Sequence, residues 1–201
     1  MPLDVSNLVR PPKFVVVAGT DGSGKNTYAN HLESMGFFHV SAGNVIRNEA
    51  YKRGMREPLS RSVLSSIGDE LKRQFGATVI TNHSLIEYQK HTAQYAAGLV
   101  IGGLRRVAEA HEAIKYGADI IFIDASPITR YKRQFDRTSR ENEADYGAFL
   151  QRGSVEFNGQ TPEGQDGVYL KGVKDIAYFT VMNDGTQEQF FKIADQLVLG
   201  I

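Results

Sequence analysis

One stretch near the start of the chain constrains the fold more than any other. An apolar run, Phe14–Ala18, ends in a glycine-rich turn that leads directly into a helical pattern, and Gly19, Gly24 and Lys25 have the spacing G-x-x-x-x-G-K. In such a loop successive backbone N–H groups converge on phosphate oxygens, the helix N-terminus adds its positive end, and the lysine spans the β- and γ-phosphates. A glycine-rich turn without a ligand is the alternative. The predicted phosphate-binding residues are Gly19, Asp21, Gly22, Ser23, Gly24, Lys25, Asn26 and Thr27.

The residue after the lysine departs from the general pattern, which has Ser or Thr there to contact magnesium. Asn26 can offer a carbonyl oxygen to a hard cation, but it is a bulkier ligand than a hydroxyl. The run Lys25-Asn26-Thr27 resembles the G-K-G-T of adenylate kinases, in which the threonine also comes one position later. Asp21 stands where thymidylate kinases have an aspartate that contacts the acceptor sugar. Both resemblances imply a small-molecule kinase that uses ATP and Mg²⁺, with Asn26 as a metal contact.

Composition limits the remaining possibilities. The 201 residues predict one domain of ordinary size, 1–201, and the absence of cysteine excludes disulfides, thiolate metal sites and a cysteine nucleophile. The first residues lack the pattern of a signal peptide, and no apolar run is long enough to span a membrane. We therefore expect a cytoplasmic protein that does not contact membranes. We also expect a monomer or a homodimer. Equal numbers of basic and acidic side chains, 23 each, disfavour a dedicated nucleic-acid binder, although local basic faces stay possible.

Short apolar runs alternate with helical patterns along the whole chain. This alternation predicts an α/β fold with a five-stranded parallel sheet covered by helices on both faces, and ligands at the carboxyl ends of the strands. The predicted strands are Phe14–Ala18, Phe37–Val40, Leu99–Ile101, Ile120–Asp124 and Tyr178–Val181. The predicted helices are Lys25–Met35, Asn44–Arg53, Leu59–Phe75, Thr78–Gln89, Arg106–Tyr116, Pro127–Arg140, Ala144–Glu156 and Gln187–Val198, and Asn158–Gly172 is predicted to be a surface loop.

The segment after the second strand carries another resemblance. His39-Val-Ser41-Ala-Gly-Asn44-Val-Ile-Arg47 is similar to the H-I-S-T-G-D-x-L-R of adenylate kinases, in which the arginine holds the phosphate of the acceptor nucleotide. The resemblance implies that Ser41 and Arg47 bind substrate, within acceptor-binding helices over about 41–90. A planar, permanently charged guanidinium suits this task. The alternative is a surface arginine paired with Glu49 or Glu57.

A third match lies at the end of the third strand, in Val100-Ile-Gly102-Gly-Leu-Arg105-Arg106. Nucleoside monophosphate kinases have D-G-[FI]-[PR]-R here, and adenylate-kinase-like and dephospho-coenzyme-A-kinase-like proteins have D-G-I-R. Arg105 matches the arginine that also holds the acceptor phosphate. Gly102 replaces the aspartate that orders the water around magnesium in the family, so either another carboxylate substitutes or the protein is a poor kinase.

Two carboxylates are candidates for that substitution. Asp124 ends the fourth strand and is our predicted metal and catalytic residue. In the fold of these kinases, strands three and four lie on opposite sides of the strand that leads into the glycine-rich phosphate-binding loop, the P-loop. The alternatives for Asp124 are capping of the following helix or pairing with Arg130. Asp21 lies within the P-loop, and its resemblance implies a substrate contact more than a metal contact.

A basic helix, Arg130–Arg140, falls where these kinases place a lid that closes over the transferred phosphoryl group. Arg137 and Arg140 resemble the catalytic arginines of that lid, which spans about 130–147 and is short. A solvated helix flank is the alternative. Near the end, Asn183-Asp-Gly-Thr186 resembles the N-[DE]-G-[ST] loop that lines the donor adenine in the family, although a turn that caps the last helix would look the same.

Together these segments predict a P-loop kinase of the nucleoside monophosphate kinase type that uses ATP and Mg²⁺. Lys25 would hold the phosphates of the donor, and Arg47 and Arg105 would hold the phosphate of the acceptor. Arg137 and Arg140 would stabilise the charge of the phosphoryl group during transfer. A dephospho-coenzyme A kinase-like enzyme would act on a hydroxyl and need a base, Asp21 or Asp124. A phage-type kinase acting on a modified base in DNA and a catalytically weak nucleotide-binding regulator are also compatible with these segments.

Overall fold

The structure is a computed structural model, and it describes residue 3 and residues 8–137, 145–159 and 167–201. Within these ranges the apolar runs form five strands. They are β1 (Phe14–Gly19), β2 (Phe37–Ser41), β3 (Gly98–Gly102), β4 (Ala118–Asp124) and β5 (Phe179–Met182). All five predicted strands are therefore present, each with bounds within two residues of those that the sequence predicts.

The strands form one parallel sheet in the order β2-β3-β1-β4-β5. The strand that leads into the P-loop is central, and all six of its residues are buried. A strand with an uninterrupted apolar run needs helices on both of its faces, and a crossover helix is the usual link between parallel neighbours. The predicted position of strands three and four on opposite sides of the P-loop strand is confirmed.

Two apolar cores lie on the two faces of the sheet. Because side chains alternate along a strand, Val15 and Val17 of β1 point into one core and Val16 points into the other. Helices α1 (Lys25–Ser34) and α9 (Gln187–Val198) cover the first face. The other face is covered by α2 (Ala42–Lys52), α3 (Arg61–Phe75), α4 (Val79–Gln89), α5 (Val107–Lys115) and α8 (Leu170–Asp175). Each fully buried aliphatic side chain contributes about 1.5–3 kcal/mol, so the two cores fix the sheet between its helical layers.

Two further helices, α6 (Pro127–Arg137) and α7 (Tyr146–Asn158), pack on each other after β4. The eight predicted helices are all found, and their starts agree with the prediction to within two residues. The last part of the predicted helix Pro127–Arg140 and much of the predicted lid fall on residues 138–144, outside the described residues. The same holds for the side chain of Arg137 and for the whole of Arg140.

One prediction is wrong. The loop predicted over Asn158–Gly172 is helical at both ends, because Asn158 closes α7 and Leu170 begins α8. Leu170 and Val173 are buried where α8 packs against β1, α5 and α7. The short helix is thus stabilised by packing between distant segments, which local propensity does not reveal.

The carboxyl ends of the strands meet at one edge of the sheet, where Gly19, Ser41, Gly102 and Asp124 end β1 to β4. Most of the residues that the sequence predicts to be functional therefore lie at this edge or on helices beside it. Across the described ranges, no helix combines the length and the apolar character that a membrane crossing needs.

Candidate nucleotide-binding site

The P-loop joins β1 to α1 in a conformation that requires glycine residues. Gly22 and Gly24 have φ angles of 79° and 97°, in the left-handed region that side chains disfavour. A Cβ atom on Gly22 would lie 2.5 Å from the carbonyl oxygen of Arg130, and one on Gly24 would lie 2.4 Å from Nδ2 of Asn183. The loop is therefore held between α6 and the end of β5, and any larger residue would push it out of place.

The loop also offers unused hydrogen-bonding groups for an anion. Gly24 is the N-cap of α1, and no side chain of the described residues caps the first-turn N–H groups. Ser23 is fully buried, and its Oγ has no partner within the described ranges. Its carbonyl oxygen, by contrast, accepts a hydrogen bond of 2.8 Å from Nδ2 of Asn183. An uncapped helix N-terminus beside a buried, unpaired hydroxyl fits a phosphate group well.

Lys25 is buried at the first turn of α1 and is paired within the loop. Its Nζ donates to Oδ1 of Asp21 at 3.0 Å and to the carbonyl oxygen of Thr20 at 3.2 Å. Burial lowers the pKa of Lys25 below its usual value, and the negative charge of Asp21 opposes that shift. The ammonium group thus contacts the loop and has lost most of its hydration. A bound phosphate would stabilise its charged form.

Arg105 reaches the same carboxylate from the loop after β3. Its NH2 group donates to Oδ1 of Asp21 at 2.7 Å, and its NH1 group lies 3.1 Å from Oε2 of Glu156 on α7. Lys25 and Arg105, which the sequence assigns to donor and acceptor, therefore share one oxygen atom. The structure brings these two predicted phosphate-binding cations together on Asp21.

Asp124 ties the end of β4 to the P-loop. Its Oδ1 accepts hydrogen bonds from Oγ1 of Thr20 at 2.6 Å and from the backbone N–H of Ala125 at 2.9 Å. Nε of Arg130 lies 3.7 Å from the same oxygen, and Nζ of Lys174 lies 3.8 Å from Oδ2. The pairing with Arg130 that the sequence allowed is present, and Asp124 as a metal contact stays a prediction.

A metal ion would have few protein ligands at this site. Asn26 and Thr27 are exposed on the first turn of α1. Among the described residues, no three side chains of His, Cys, Asp or Glu converge in the manner of a metal site. Mg²⁺ is commonly held by one or two protein ligands and by the phosphates of its nucleotide, so the groups present fit an ion that arrives with the nucleotide.

Two further predicted acceptor-binding residues, Ser41 and Arg47, lie on β2 and α2. Ser41 ends β2 and pairs in register with Gly102 of β3, so it lies at the carboxyl edge of the sheet. Arg47, on α2, has a half-exposed side chain whose Nε lies 3.4 Å from Oε1 of Glu57. This is one of the two pairings that the sequence allowed for a surface arginine, and a role of Arg47 toward a substrate stays a prediction.

The predicted lid helix contributes two arginines to the described site. Nε of Arg130 donates to the carbonyl oxygen of Ala125 at 3.0 Å, and its guanidinium lies 5.5 Å from the centre of the Phe149 ring. NH1 of Arg133 donates to the carbonyl oxygen of Ser23 at 3.5 Å. Arg133 therefore links α6 to the P-loop, whereas Arg130 contacts the turn after β4 and α7.

The sequence predicted α7 but assigned no role to the face of α7 that lies beside the P-loop. Arg152 and Glu156 lie on that face with Phe149 and Gly153, at the spacing that places residues on one side of a helix. The charged pair four residues apart in an amphipathic helix was the signal available in the sequence, and it resembles ordinary surface charge. The face borders a pocket next to the P-loop, which is lined by Thr20, Asp21, Arg130, Gln134, Phe149, Arg152, Gly153 and Glu156.

The sheet order, the loop after β1 and the helices on both faces define a P-loop fold of the kinase type. The chain belongs to the AAA_18 family, described as AAA domain, whose model matches residues 15–154. It is similar to a UPF0200 protein of Methanococcus maripaludis, with 27% identity over 89% of this chain and 91% of that one. A UPF0200 protein of Hyperthermus butylicus is 28% identical over 92% of each chain.

Solved structures show the same fold. The protein TT1252 from Thermus thermophilus superposes with a TM-score of 0.58 over 94% of this chain and 97% of that chain, at 18% identity. Shikimate kinase from Acinetobacter baumannii, solved in complex with shikimate, superposes with a TM-score of 0.56 over 94% of this chain and 93% of its own, at 19% identity. At these identities the likeness establishes the fold and leaves the substrate to the residues of the site.

Proposed function

We propose that this protein is an ATP- and Mg²⁺-dependent kinase that transfers the γ-phosphoryl group to a nucleoside monophosphate or a similar phosphorylated acceptor. One observation supports this more than any other. Lys25 of the donor loop and Arg105 of the predicted acceptor side both donate to Oδ1 of Asp21. Phosphoryl transfer needs donor and acceptor phosphates held in contact, and two cations around one oxygen provide that arrangement.

Each residue then has a simple task. The loop N–H groups and Lys25 bind the β- and γ-phosphates, while Arg105 orients the acceptor phosphate. An oxygen of that phosphate attacks the γ-phosphorus, the bond from this phosphorus to the β-bridging oxygen breaks, and ADP leaves with the electron pair. Mg²⁺, when bound, neutralises charge on the donor phosphates. Arg130 and Arg152 border the adjoining pocket with positive charge, where they would stabilise the phosphoryl group in transfer.

The carboxylates of the site favour a phosphate acceptor over a hydroxyl acceptor. A hydroxyl acceptor, as in dephospho-coenzyme A, would need a general base, whereas an anionic phosphate oxygen does not. Asp21 is shared by two cations, and Oδ1 of Asp124 accepts from Thr20 and Ala125. Both carboxylates are therefore already engaged in contacts within the protein, which favours an acceptor that needs no base.

A nucleotide-binding regulator with little turnover is the second candidate, and Gly102 is the observation that favours it. The end of β3 carries no carboxylate to order water around a metal ion. Such a protein would keep the loop geometry and Lys25 while transferring phosphate slowly or to no acceptor.

The test is a transfer assay with γ-labelled ATP and Mg²⁺, offering nucleoside monophosphates, dephospho-coenzyme A and duplex DNA as acceptors. We expect transfer to at least one nucleoside monophosphate. Arg105→Ala should lower kcat/KM for that acceptor by a factor of ten or more and leave ATP affinity within about twofold, since a charge-assisted contact contributes about 1.5–3 kcal/mol. Arg10→Ala is the matched control, because Arg10 is an exposed arginine that donates to the carbonyl oxygen of Lys115 at the far end of α5.

Transfer only to dephospho-coenzyme A or to DNA would replace the proposed acceptor with that one. ATP binding without transfer to any of these acceptors would support the regulator instead.

A further inference from the structure

The end of β3 is filled by a side chain from the neighbouring strand. A Cβ atom placed on Gly102 would lie 3.0 Å from Nε2 of His39 and 3.3 Å from Cβ of Ala29. Gly102 does not have the positive φ that makes glycine necessary at Gly22 and Gly24. The glycine is therefore explained by space: the imidazole of His39 occupies the position into which a side chain of residue 102 would project.

A carboxylate fixes the orientation of this ring. Nδ1 of His39 lies 3.0 Å from Oε2 of Glu33 near the end of α1, and the imidazole is 11% exposed. A carboxylate accepts a hydrogen bond, so Nδ1 carries the hydrogen and the lone pair of the neutral ring is on Nε2. Within the described ranges Nε2 has no hydrogen-bond partner, which leaves a well-oriented acceptor unused.

The unused nitrogen lies beside the helix that begins at the P-loop. Ala29, which like the ring lies next to the Cβ position of Gly102, is four residues after Lys25 and three after Asn26, so all three lie along one side of α1. His39 also shares a face of the sheet with Gly102, because it pairs with Val100 two residues earlier in β3. Nε2 thus lies beside Gly102, the last residue of β3, at the edge of the sheet where a nucleotide phosphate and its metal ion would bind.

We propose that His39, oriented by Glu33, accepts a hydrogen bond from a water molecule of the Mg²⁺ ion that accompanies the nucleotide. This inference rests on the proposed function. Gly102 would then not mark a loss of activity, because a neutral imidazole held by a carboxylate is a good acceptor for the strongly polarised hydrogens of metal-bound water. His39 is in this account a positioning residue, which acts on the metal ion through its water.

The experiment measures the binding of the ATP analogue AMPPNP by calorimetry, with and without MgCl₂. The quantity of interest is the ratio of the two dissociation constants, the magnesium-linked gain in affinity. His39→Ala should lower this gain by about tenfold, the value of one hydrogen bond to a charged group, and leave metal-free affinity unchanged. His111→Ala, which removes an exposed histidine of α5, is the control and should change neither quantity.

A compensating variant makes the test specific. Gly102→Asp alone should fail to raise the gain, because its Cβ would meet the His39 ring. In the double variant His39→Ala with Gly102→Asp, the space is free and a carboxylate is again present, so most of the gain should return. Glu33→Gln should also lower the magnesium-linked gain, as His39→Ala does. The Glu33 side chain is 55% exposed, so this substitution carries little risk of unfolding.

The possible failures are distinguishable. A wild-type protein that does not bind AMPPNP would overturn the proposed function. A wild type that binds, together with His39→Ala and Glu33→Gln variants that keep the full magnesium-linked gain, would overturn only the role of His39. Equal losses with and without magnesium would also overturn that role, since they indicate a structural effect on the loop.

Discussion

Asp21 is expected to set both the stability of the P-loop and its affinity for phosphate, in opposite directions. Its Oδ1 accepts from Lys25 at 3.0 Å and from Arg105 at 2.7 Å, and its side chain is 20% exposed. Asp21→Asn keeps the shape of the side chain and removes its charge, which leaves two cations close together. The variant should therefore be less stable than the wild type and should bind nucleotide phosphates more tightly.

The magnitude follows from the partial burial of the pair. Breaking a buried ion pair costs about 3–5 kcal/mol and breaking an exposed one about 0–1 kcal/mol. Asp21 lies between these limits, and the asparagine amide can keep part of one hydrogen bond, so we expect a loss of about 2 kcal/mol in the free energy of unfolding. For a chain of this length that is a fall in Tm of roughly 4–8 °C.

The gain in affinity has the same origin. In the wild type a donor phosphate must draw Lys25 away from Asp21 and approach a carboxylate of like charge. Removing that charge should strengthen metal-free AMPPNP binding by about three- to tenfold, with the larger value at low ionic strength.

The assays are thermal or denaturant unfolding and calorimetric titration. Asp119→Asn is the matched control, because Asp119 forms a single ion pair with Lys13 at 2.7 Å in which both side chains are 35% exposed. It should change the free energy of unfolding by at most about 1 kcal/mol and leave nucleotide binding unaltered. An Asp21→Asn protein as stable as the wild type, or one that binds AMPPNP more weakly, would refute this reasoning.

Three further variants test other parts of the site. Lys25→Met should abolish AMPPNP binding in calorimetry without lowering Tm at pH 7. Because burial lowers the pKa of Lys25 from its usual 10.5, the unfolded chain binds more protons just below pH 10.5, so wild-type stability relative to Lys25→Met should rise as the pH increases through that window. Asp124→Asn should weaken AMPPNP binding equally with and without magnesium, since its Oδ1 holds Thr20 of the loop; a loss confined to the magnesium complex would instead support the predicted metal contact. Thr186→Ala removes the capping box with Gln189 at the start of α9 and should lower the free energy of unfolding by about 1 kcal/mol in denaturant titrations.

The sequence predicted the sheet well because each strand is marked by a pattern within one short segment. Each strand is a short apolar run next to a turn or a helical pattern, and the run Phe14–Gly19 is buried over its whole length. The P-loop was equally accessible, since the spacing of Gly19, Gly24 and Lys25 follows from the contacts of one continuous segment with phosphate. Among the described helices only α8 escaped prediction, because the reason for its helix lies in the packing of Leu170 and Val173 on other elements.

The pairings between side chains of the site could not be predicted from such local patterns. The carboxylate that pairs with Arg105 is 84 positions earlier in the chain, and the second partner of Arg105, Glu156, lies on a helix for which no role was predicted. The position of His39 against Gly102 depends on the register between β2 and β3. A motif names the residues that contact a ligand, whereas these contacts depend on distances between separate segments of the fold.

The pattern of charge explains how a site built for a polyanion can fold before any anion binds. Lys25 and Arg105 share Asp21, and Arg130 lies 3.7 Å from Asp124, so these cations have a carboxylate within reach and the cost of their desolvation is offset within the protein. Phosphate binding then exchanges contacts with carboxylates for contacts with phosphate oxygens, and the affinity depends on the difference between the two sets. Because Asp21 is shared by two cations, it should influence that difference more than Asp124, whose Oδ1 also accepts hydrogen bonds from neutral donors, the Thr20 hydroxyl and the Ala125 N–H.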